Sequence, residues 1–520
     1  MDLSLFVRLF FDILASWFRL GAALFISFVA SMVLGIYIGR SKEAERLLMP
    51  IIDIFQTIPI LAFFPFAIFI FVSAFPGSVG VNIAVVFLII TSMVWNMIFG
   101  AYEAIKTIPI EFTELAKLYH MGWIEKQAKI YVPAALPAVV EQASLSWAIG
   151  LFYLVTSEIF AVGSSKYSVT YGIGVALTNL AAAGDFTSYY IGLLFFVVAV
   201  ILSRFLVFNK LGESVSAYKK AASSKKSSLL LNNVIAGASV FMSRMGRSSK
   251  RTAEKMMRNS VIKRAVIFVT RTTLKLSSYL IVALLAIIAY VNYPSIYSSV
   301  ATYEGTVLTA LAFSFARVWF AFAIAVLVAV PTCVYLIFIS KHKEKFVAVF
   351  QTIASIPATI LLPIIAVALS QYLFHDELIA FAVLFLSSVW YIIFSILSRS
   401  NAITQSMMEV KQMFELKGLD AWRYMYMGAI TPGLITGSIT AIAAEWNASI
   451  VAEYFTSSGI GSGSTISAVN IGIGKLMDLA LANGNMILMG VALVNLTVMI
   501  IVINKLLWKN LYNRTASVYG

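Results

Sequence analysis

Charge is scarce in this chain. Asp, Glu, Lys and Arg make up 12% of its 520 residues, where soluble domains carry about a quarter. With 60% hydrophobic residues and a mean hydropathy of +0.90, that scarcity excludes a soluble globular domain and implies a polytopic membrane protein. A single cysteine, Cys333, excludes an internal disulfide and any thiolate cluster, and in an apolar run it reads as a small packing residue. The three histidines, His120, His342 and His375, are scattered, two of them in charged loops, so neither a catalytic nor a metal site is expected. A nucleotide-binding loop is also missing. Gly472-Ile473-Gly474-Lys475 comes nearest, but a Walker A motif needs glycine and a hydroxyl residue where Val469 and Leu476 stand. The chain is therefore not expected to be an enzyme or to hold a cofactor. The N-terminus has Arg8 and Asp12 inside its apolar run and no small-residue cleavage site, so it does not read as a signal peptide.

Long apolar runs take the place of what is missing. Crossing the hydrocarbon core takes about 20 apolar residues, and runs without alternation predict helices rather than a barrel. Residues 3–16 read as a short amphipathic segment at the interface. The first span is Trp17 to Ile38, followed by Arg40, Lys42 and Arg46, which mark a cytoplasmic end. A run from Met49 to Phe75 contains Pro50, Pro59 and Pro65 and is expected to be a broken helix. Val81 to Gly100 follows. Next comes a stretch too charged for lipid, Glu111 to Pro137, closed by the paired prolines Pro133 and Pro137. Spans from Ala134 to Phe160 and Thr187 to Phe208 flank a polar loop holding Gly172-Ile173-Gly174, expected on the outside.

Residues 209–275 carry fifteen Lys and Arg against two Glu, which is nearly all of the formal net charge of +14. Such a linker is expected to be cytoplasmic and to touch anionic lipid headgroups. Without aromatic interleaving or a recognition motif, it gives no reason to expect nucleic acid.

Beyond the linker and an unpaired span, Leu276 to Val291, the plan repeats: Leu308–Ser340, a run from Phe346 to Phe374 with Pro357 and Pro363, Ile379–Leu397, a second charged stretch from Glu409 to Pro432, Ala429–Phe455 and Met486–Leu507. Arg19, Pro59 and Pro65 match Arg317, Pro357 and Pro363 at an offset of 298. Trp123, Pro133 and Trp147 match Trp422, Pro432 and Trp446 at 299, and the two Gly-Ile-Gly stretches match at 300. Internal repeats of this kind are a construction principle of transporters. Five crossings per copy would invert the second copy, and the unpaired span restores parity, so both charged stretches face the cytoplasm. The expectation is an all-α polytopic protein of about eleven transmembrane helices. Its parts are 1–208, a basic linker 209–275, an extra helix with its loop 276–306, and 307–520.

The first charged stretch resembles a known pattern. Glu114-Leu115-Ala116, Gly122 and Ile130-Tyr131-Val132-Pro133, with nineteen residues from Glu to Pro, are similar to the "EAA" loop of binding-protein-dependent ABC importer permeases. Leu115 departs from that pattern, and His120 stands where it has glycine. The second stretch is looser, with Met413 at the Glu position, Glu415 and Gly418 nearby, and Pro432 closing. Thr156-Ser157-Glu158 and the run from Trp446 to Glu453 resemble the nitrate/sulfonate/taurine branch, and the tandem plan resembles its duplicated permeases.

The resemblance implies two tandem parallel copies of a five-helix importer permease core in the plasma membrane, forming a pathway for a small solute. That solute is expected to be an anion such as nitrate, bicarbonate, taurine or another sulfonate. It also implies two copies of a cytoplasmic ATPase, with ATP bound on those subunits, and an external substrate-binding protein. The implied ATPase-coupling residues are Glu114, Ala116, Gly122, Trp123, Pro133, Glu415, Gly418, Trp422 and Pro432. The alternative is a secondary transporter with parallel repeats driven by an ion gradient. Ionisable residues inside spans are candidate pathway groups: Arg19 and Arg317, with Glu158 and Glu453 as possible partners. Each arginine admits two readings, a cation at the pore mouth or a side chain snorkelling to the interface.

Overall fold

The computed structural model describes residues 3–206 and 293–506, apart from 58, 76, 164–169, 205, 341, 355, 400–412, 416–417, 455–468 and 504. The linker 209–275 and the Leu276 to Val291 span lie outside the described residues.

In the first half, α1 (Leu3–Arg40) runs unbroken for 38 residues. Residues 3–16 are thus the first turns of a long helix rather than a separate interfacial segment, because Leu9, Asp12 and Ser16 are buried against the rest of the half. After α2 (Lys42–Thr57) the chain breaks at Pro59, makes a 3-10 turn over Ile60–Phe63 and resumes as α3 (Phe64–Ala74). Pro59 makes the break. Pro50 is carried within α2, and Pro65 sits in the first turn of α3, where no N–H is needed. The long α4 (Ser78–Lys106) is followed by the short α5 (Ile110–Leu118) and α6 (Trp123–Lys126), a π-turn over Gln127–Tyr131, and α7 (Val132–Gly163). Pro133 and Pro137 do not close the loop; both lie within α7. The first half ends with α8 (Ile173–Ala182) and α9 (Phe186–Ser203).

The same succession follows in the second half: α10 (Tyr293–Phe338), α11 (Lys343–Ala354), a 3-10 turn Ala358–Leu361 behind Pro357, α12 (Leu362–Leu369), α13 (His375–Arg399), α14 (Gly418–Ala421), a π-turn Trp422–Tyr426, α15 (Met427–Tyr454), α16 (Ile473–Ala482) and α17 (Met486–Ile503). The second proline break bends its run by 72°. Eight described helices, α1, α4, α7, α9, α10, α13, α15 and α17, are long and apolar enough to cross a membrane, and the bent pair makes nine. Of the eleven spans expected, the first proline-broken run is the segmented α2–α3, and the extra span is among the undescribed residues.

Within each half three long helices form the bundle: α1, α4 and α7, then α10, α13 and α15. Close approach is bought by small residues. A Cβ on Gly35 of α1 would stand 2.4 Å from Ala101 on α4. In the second half a comparable approach is made by α13 and α15, where a Cβ on Gly433 would meet Ile396 at 2.7 Å. The halves meet along a shared core that includes Leu61, Phe64, Leu154, Leu362 and Trp446. Each 3-10 turn packs on the long helix of the other half, Ile60–Phe63 on α15 and Ala358–Leu361 on α7.

Candidate functional site

Arg19 and Arg317 anchor two versions of one side-chain cluster. Arg19 lies midway along α1, 7% exposed, and all three of its guanidinium nitrogens donate. Nη1 reaches Glu158 Oε1 at 2.8 Å, Nε reaches Asn82 Oδ1 at 2.7 Å, and Nη2 reaches the Tyr171 carbonyl at 2.6 Å. Glu158, fully buried on α7, also accepts from Ser16 Oγ at 2.7 Å and from the Gly174 N–H at 2.9 Å. Ser16 Oγ in turn accepts the Ile173 N–H at 2.9 Å, and Asp12 Oδ1 accepts the Gly172 N–H at 3.0 Å. The orphan N–H groups at the start of α8 are thus satisfied by side chains of α1 and α7. The result is a clasp that ties three helices together.

The second half repeats it. Arg317 Nη1 reaches Glu453 Oε1 at 2.7 Å, and Ser314 Oγ donates to Glu453 Oε2 at 2.9 Å. The N–H groups of Ile473 and Gly474 go to Ser314 Oγ and Glu453 Oε2 at 2.8 and 2.9 Å. The glycines are required by proximity. A Cβ on Gly172 would lie 2.7 Å from Glu158 Cδ, and one on Gly472 would lie 2.4 Å from Glu453 Oε2. The Gly-Ile-Gly stretches, expected as outer loops, are therefore buried seats for a carboxylate. Both arginines are turned into the bundle and paired, so the snorkelling reading does not describe them.

The clasps differ in their second acid. Where Arg19 meets the neutral Asn82, Arg317 forms a two-pronged pair with Glu377, which is 44% exposed. In the first half the extra carboxylate is Asp12, whose place in the second is taken by Ala310. Ser16, Ser314, Asp12, Asn82 and Glu377 escaped the sequence reading. The spacing Ser16-Trp17-Phe18-Arg19, repeated as Ser314-Phe315-Ala316-Arg317, was a signal that could have found the two serines.

At the other end of the bundle lie the charged stretches. Glu114 is exposed on α5, and Ala116 beside it is 2% exposed and packs inward. Phe112, Leu115 and Leu118 are exposed on the same helix, with Tyr119 exposed just past its end, an apolar face on an otherwise charged segment. The bend after α5 occurs at His120, with φ +48°, and not at Gly122. Gly122 precedes α6, and its N–H is accepted by Glu125 Oε2 at 3.1 Å, half of a capping box. Trp123 opens α6. A carboxylate outside the spans, Glu45 on α2, ties this end together. It accepts Tyr102 Oη at 2.6 Å and pairs with Lys106, which holds its pKa below the ordinary glutamate value.

In the second stretch the positive φ falls on Glu415, at +46°. His120 and Glu415 are 295 residues apart, and so are the two π-turns, Pro137 and Pro432, and Glu158 and Glu453. The expected offset of 299 is therefore wrong for this region. It paired Trp123 with Trp422, Pro133 with Pro432 and Trp147 with Trp446, but Trp123 opens a short helix and Trp422 opens a π-turn. Gly418 opens α14, and Pro432 lies in the second turn of α15. In the corrected register the partner of Glu114 is Glu409, which is outside the described residues, and Met413 is not at the Glu position.

The same register exposes an exchange of partners in the core. Met93 lies over Gly150 so closely that a Cβ there would be 2.0 Å from its Cε. At these places the second half has Ser388 and Glu445. Glu445 is fully buried, and its two oxygens fall outside hydrogen-bonding geometry with Ser388 beside them.

Across the seam between the halves, Asn447 Oδ1 accepts the Ile60 N–H at 2.8 Å, and Thr156 and Thr359 join hydroxyls at 3.3 Å. Tyr189 Oη donates to the Ile360 carbonyl, and Arg204 Nη2 reaches Gln351 Oε1 at 3.0 Å. Among the described residues, no group of three His, Cys, Asp or Glu could hold a metal ion.

Residues 31–211 match the family described as "Binding-protein-dependent transport system inner membrane component". The chain is similar to the nitrate import permease protein of Leptolyngbya laminosa, 27% identical over 157 residues, which is 30% of this chain and 53% of that protein. It is equally similar, over the same shares, to the bicarbonate transport system permease protein of Synechococcus elongatus. With the glycine betaine/proline betaine transport system permease protein of Escherichia coli it shares 25% identity over 183 residues, 35% of this chain and 48% of that protein. The chain spans about half the length of the curated relatives it matches.

Proposed function

From the premise that residues 31–211 belong to the family of binding-protein-dependent inner membrane transport components, we propose that this multi-pass membrane protein is the permease subunit of an ATP-driven importer, with both halves of the pathway on one chain. One observation carries the reading: the element succession of the matched segment recurs in the second half, and the two meet at the proline-broken turns. Two bundles around one seam supply an alternating-access pathway when the seam opens first to one side and then to the other.

The end of the bundle that carries α5 would face the cytoplasm. There the exposed apolar face of α5, flanked by Glu114 and Gly122, suits docking into an ATPase, and the segment around Glu415 and Gly418 suits a second, unequal contact. Two copies of a separate ATPase, each binding ATP, would drive the cycle, and an external binding protein would deliver the solute. The chain itself would hold no cofactor. The substrate is proposed to be a small anion of the nitrate, bicarbonate or sulfonate kind. Arg19–Glu158 and Arg317–Glu453, with their guanidiniums fully engaged, would brace the pathway rather than bind the solute.

Reconstitution with the ATPase and the binding protein tests this. Uptake into vesicles should require ATP, and the change Glu114→Lys with Leu115→Asp should abolish it while leaving the protein inserted. Uptake that runs on an ion gradient with every ATPase removed would overturn the reading.

A further inference from the structure

The seam between the halves is lopsided. At one contact, Thr156 of α7 and Thr359 of the Ala358–Leu361 turn share a hydrogen bond at 3.3 Å, and both residues are fully buried. In the register fixed by Glu158 and Glu453, Thr156 corresponds to Val451; in that of the proline breaks, Thr359 corresponds to Leu61. Val451 and Leu61 are also fully buried. One seam contact thus holds a hydroxyl pair where its pseudo-equivalent has Val451 and Leu61, the polar contact there being Asn447 Oδ1 with the Ile60 N–H instead. A permease of two identical subunits must present the same groups twice, whereas a chain with two distinct halves can confine a hydroxyl pair to one side.

Three observations tie this pair to the solute. Thr156 lies two residues before Glu158, so the clasp that seats α8 fixes the turn of helix carrying the hydroxyl. Thr359 sits behind Pro357 in a break with no side-chain cap, where the backbone leaves regular helix inside an apolar bundle; such irregular backbone is tolerated where it is buried in protein or lines a pathway, and broken helices are where transporters place their substrate sites. Of the other side chains that bond across the seam, Tyr189 and Asn447 are neutral, and Arg204 is bonded to Gln351 beyond the end of α9.

We propose that Thr156 and Thr359 form the constriction of the pathway and its specificity contact. It is a one-sided hydroxyl site that recognises a small oxyanion or zwitterion through hydrogen bonds without a partner cation. This rests on the importer reading above. With the pathway closed the hydroxyls bond each other. When it opens they part and turn to the passing solute, which needs several acceptor oxygens and little bulk. Neutral donors also release an anion more readily than a buried arginine would, because no charge is left unpaired when the solute leaves.

The test is the double variant Thr156→Cys/Thr359→Cys made in a Cys333→Ala background, reconstituted with its ATPase and binding protein. Uptake of labelled nitrate, bicarbonate, taurine and glycine betaine is measured before and after oxidation. Oxidation is expected to join the two cysteines and stop ATP-driven uptake, and reduction to restore it. In single variants, Thr156→Val should raise KM for the imported solute about tenfold, the loss of one hydrogen bond, and Thr156→Ser should restore it. A crosslink that forms while uptake continues, a crosslink that never forms, or an unchanged KM in both Thr156→Val and Thr359→Val overturns the proposal and leaves the importer reading standing. No ATP-driven uptake of any of the four solutes in the wild-type protein overturns both.

Discussion

At residue scale the most informative position is His120. An L-residue at φ +48° pays about 1–2 kcal/mol against the right-handed region, yet the chain bends there and bends again at Glu415 with φ +46°. The EAA pattern that this loop resembles has glycine at the place of His120, and φ +48° is a conformation that glycine adopts without strain. His120→Gly is therefore expected to preserve or raise the melting temperature, a gain limited by the entropy of an added glycine, whereas His120→Val should lower it by several degrees in a thermal scan. The reverse order would mean that the imidazole itself holds the turn. Glu445 makes a complementary point. It stands where the first half has Gly150 under Met93, and Ser388 stands where the first half has Met93, so this carboxylate is, in space, one side of a repacked helix contact.

At the scale of elements, the clasp decides how α8 and α16 are seated. Short helices of ten residues cannot hold themselves in place by their own hydrogen bonds; here their first N–H groups are fixed by Ser16, Asp12 and Glu158, or by Ser314 and Glu453. Removing one partner of a buried pair leaves the other uncompensated, which costs about 3–5 kcal/mol. Arg19→Ala should therefore destabilise strongly, and Arg19→Ala combined with Glu158→Ala should cost much less than the sum of the single changes. A double-mutant cycle read from unfolding in detergent checks this, and simple additivity would show that the pair is not coupled. The breaks at Pro59 and Pro357 and the repetition of elements were legible because proline removes a backbone N–H and crowds the preceding turn, although Pro50, Pro137 and Pro432 are carried inside helices and only the structure tells the two kinds apart. The offset of the charged stretch was not. Tryptophan and proline matched by chance at 299, and the two π-turns, the paired positive φ values and the equivalent bonds of Glu158 and Glu453 fix it at 295.

At the scale of the whole molecule the halves are held by a common core and by polar contacts that cross the seam. Expressing the chain as two polypeptides, divided after Lys250, should give halves that still purify together in mild detergent. Separate elution of the halves would mean that the seam needs the covalent connection.

Composition and hydropathy alone determined that this is a helical, multi-pass membrane protein, because bilayer thickness and backbone satisfaction leave a chain of such runs little choice, and the recurrence of Arg19, Pro59 and Pro65 as Arg317, Pro357 and Pro363 marked the repeated succession of elements. The stretch proposed to meet an ATPase, too, was marked by its charge. Whether Arg19 and Arg317 face lipid, solvent or a carboxylate, which residues align between the halves, and which hydroxyls meet across the seam were decided only by tertiary structure. Each of these depends on groups far apart in the chain, such as Arg19 with Glu158, 139 residues on, or Thr156 with Thr359, 203 residues on, and no local pattern encodes a contact made by two helices that pack.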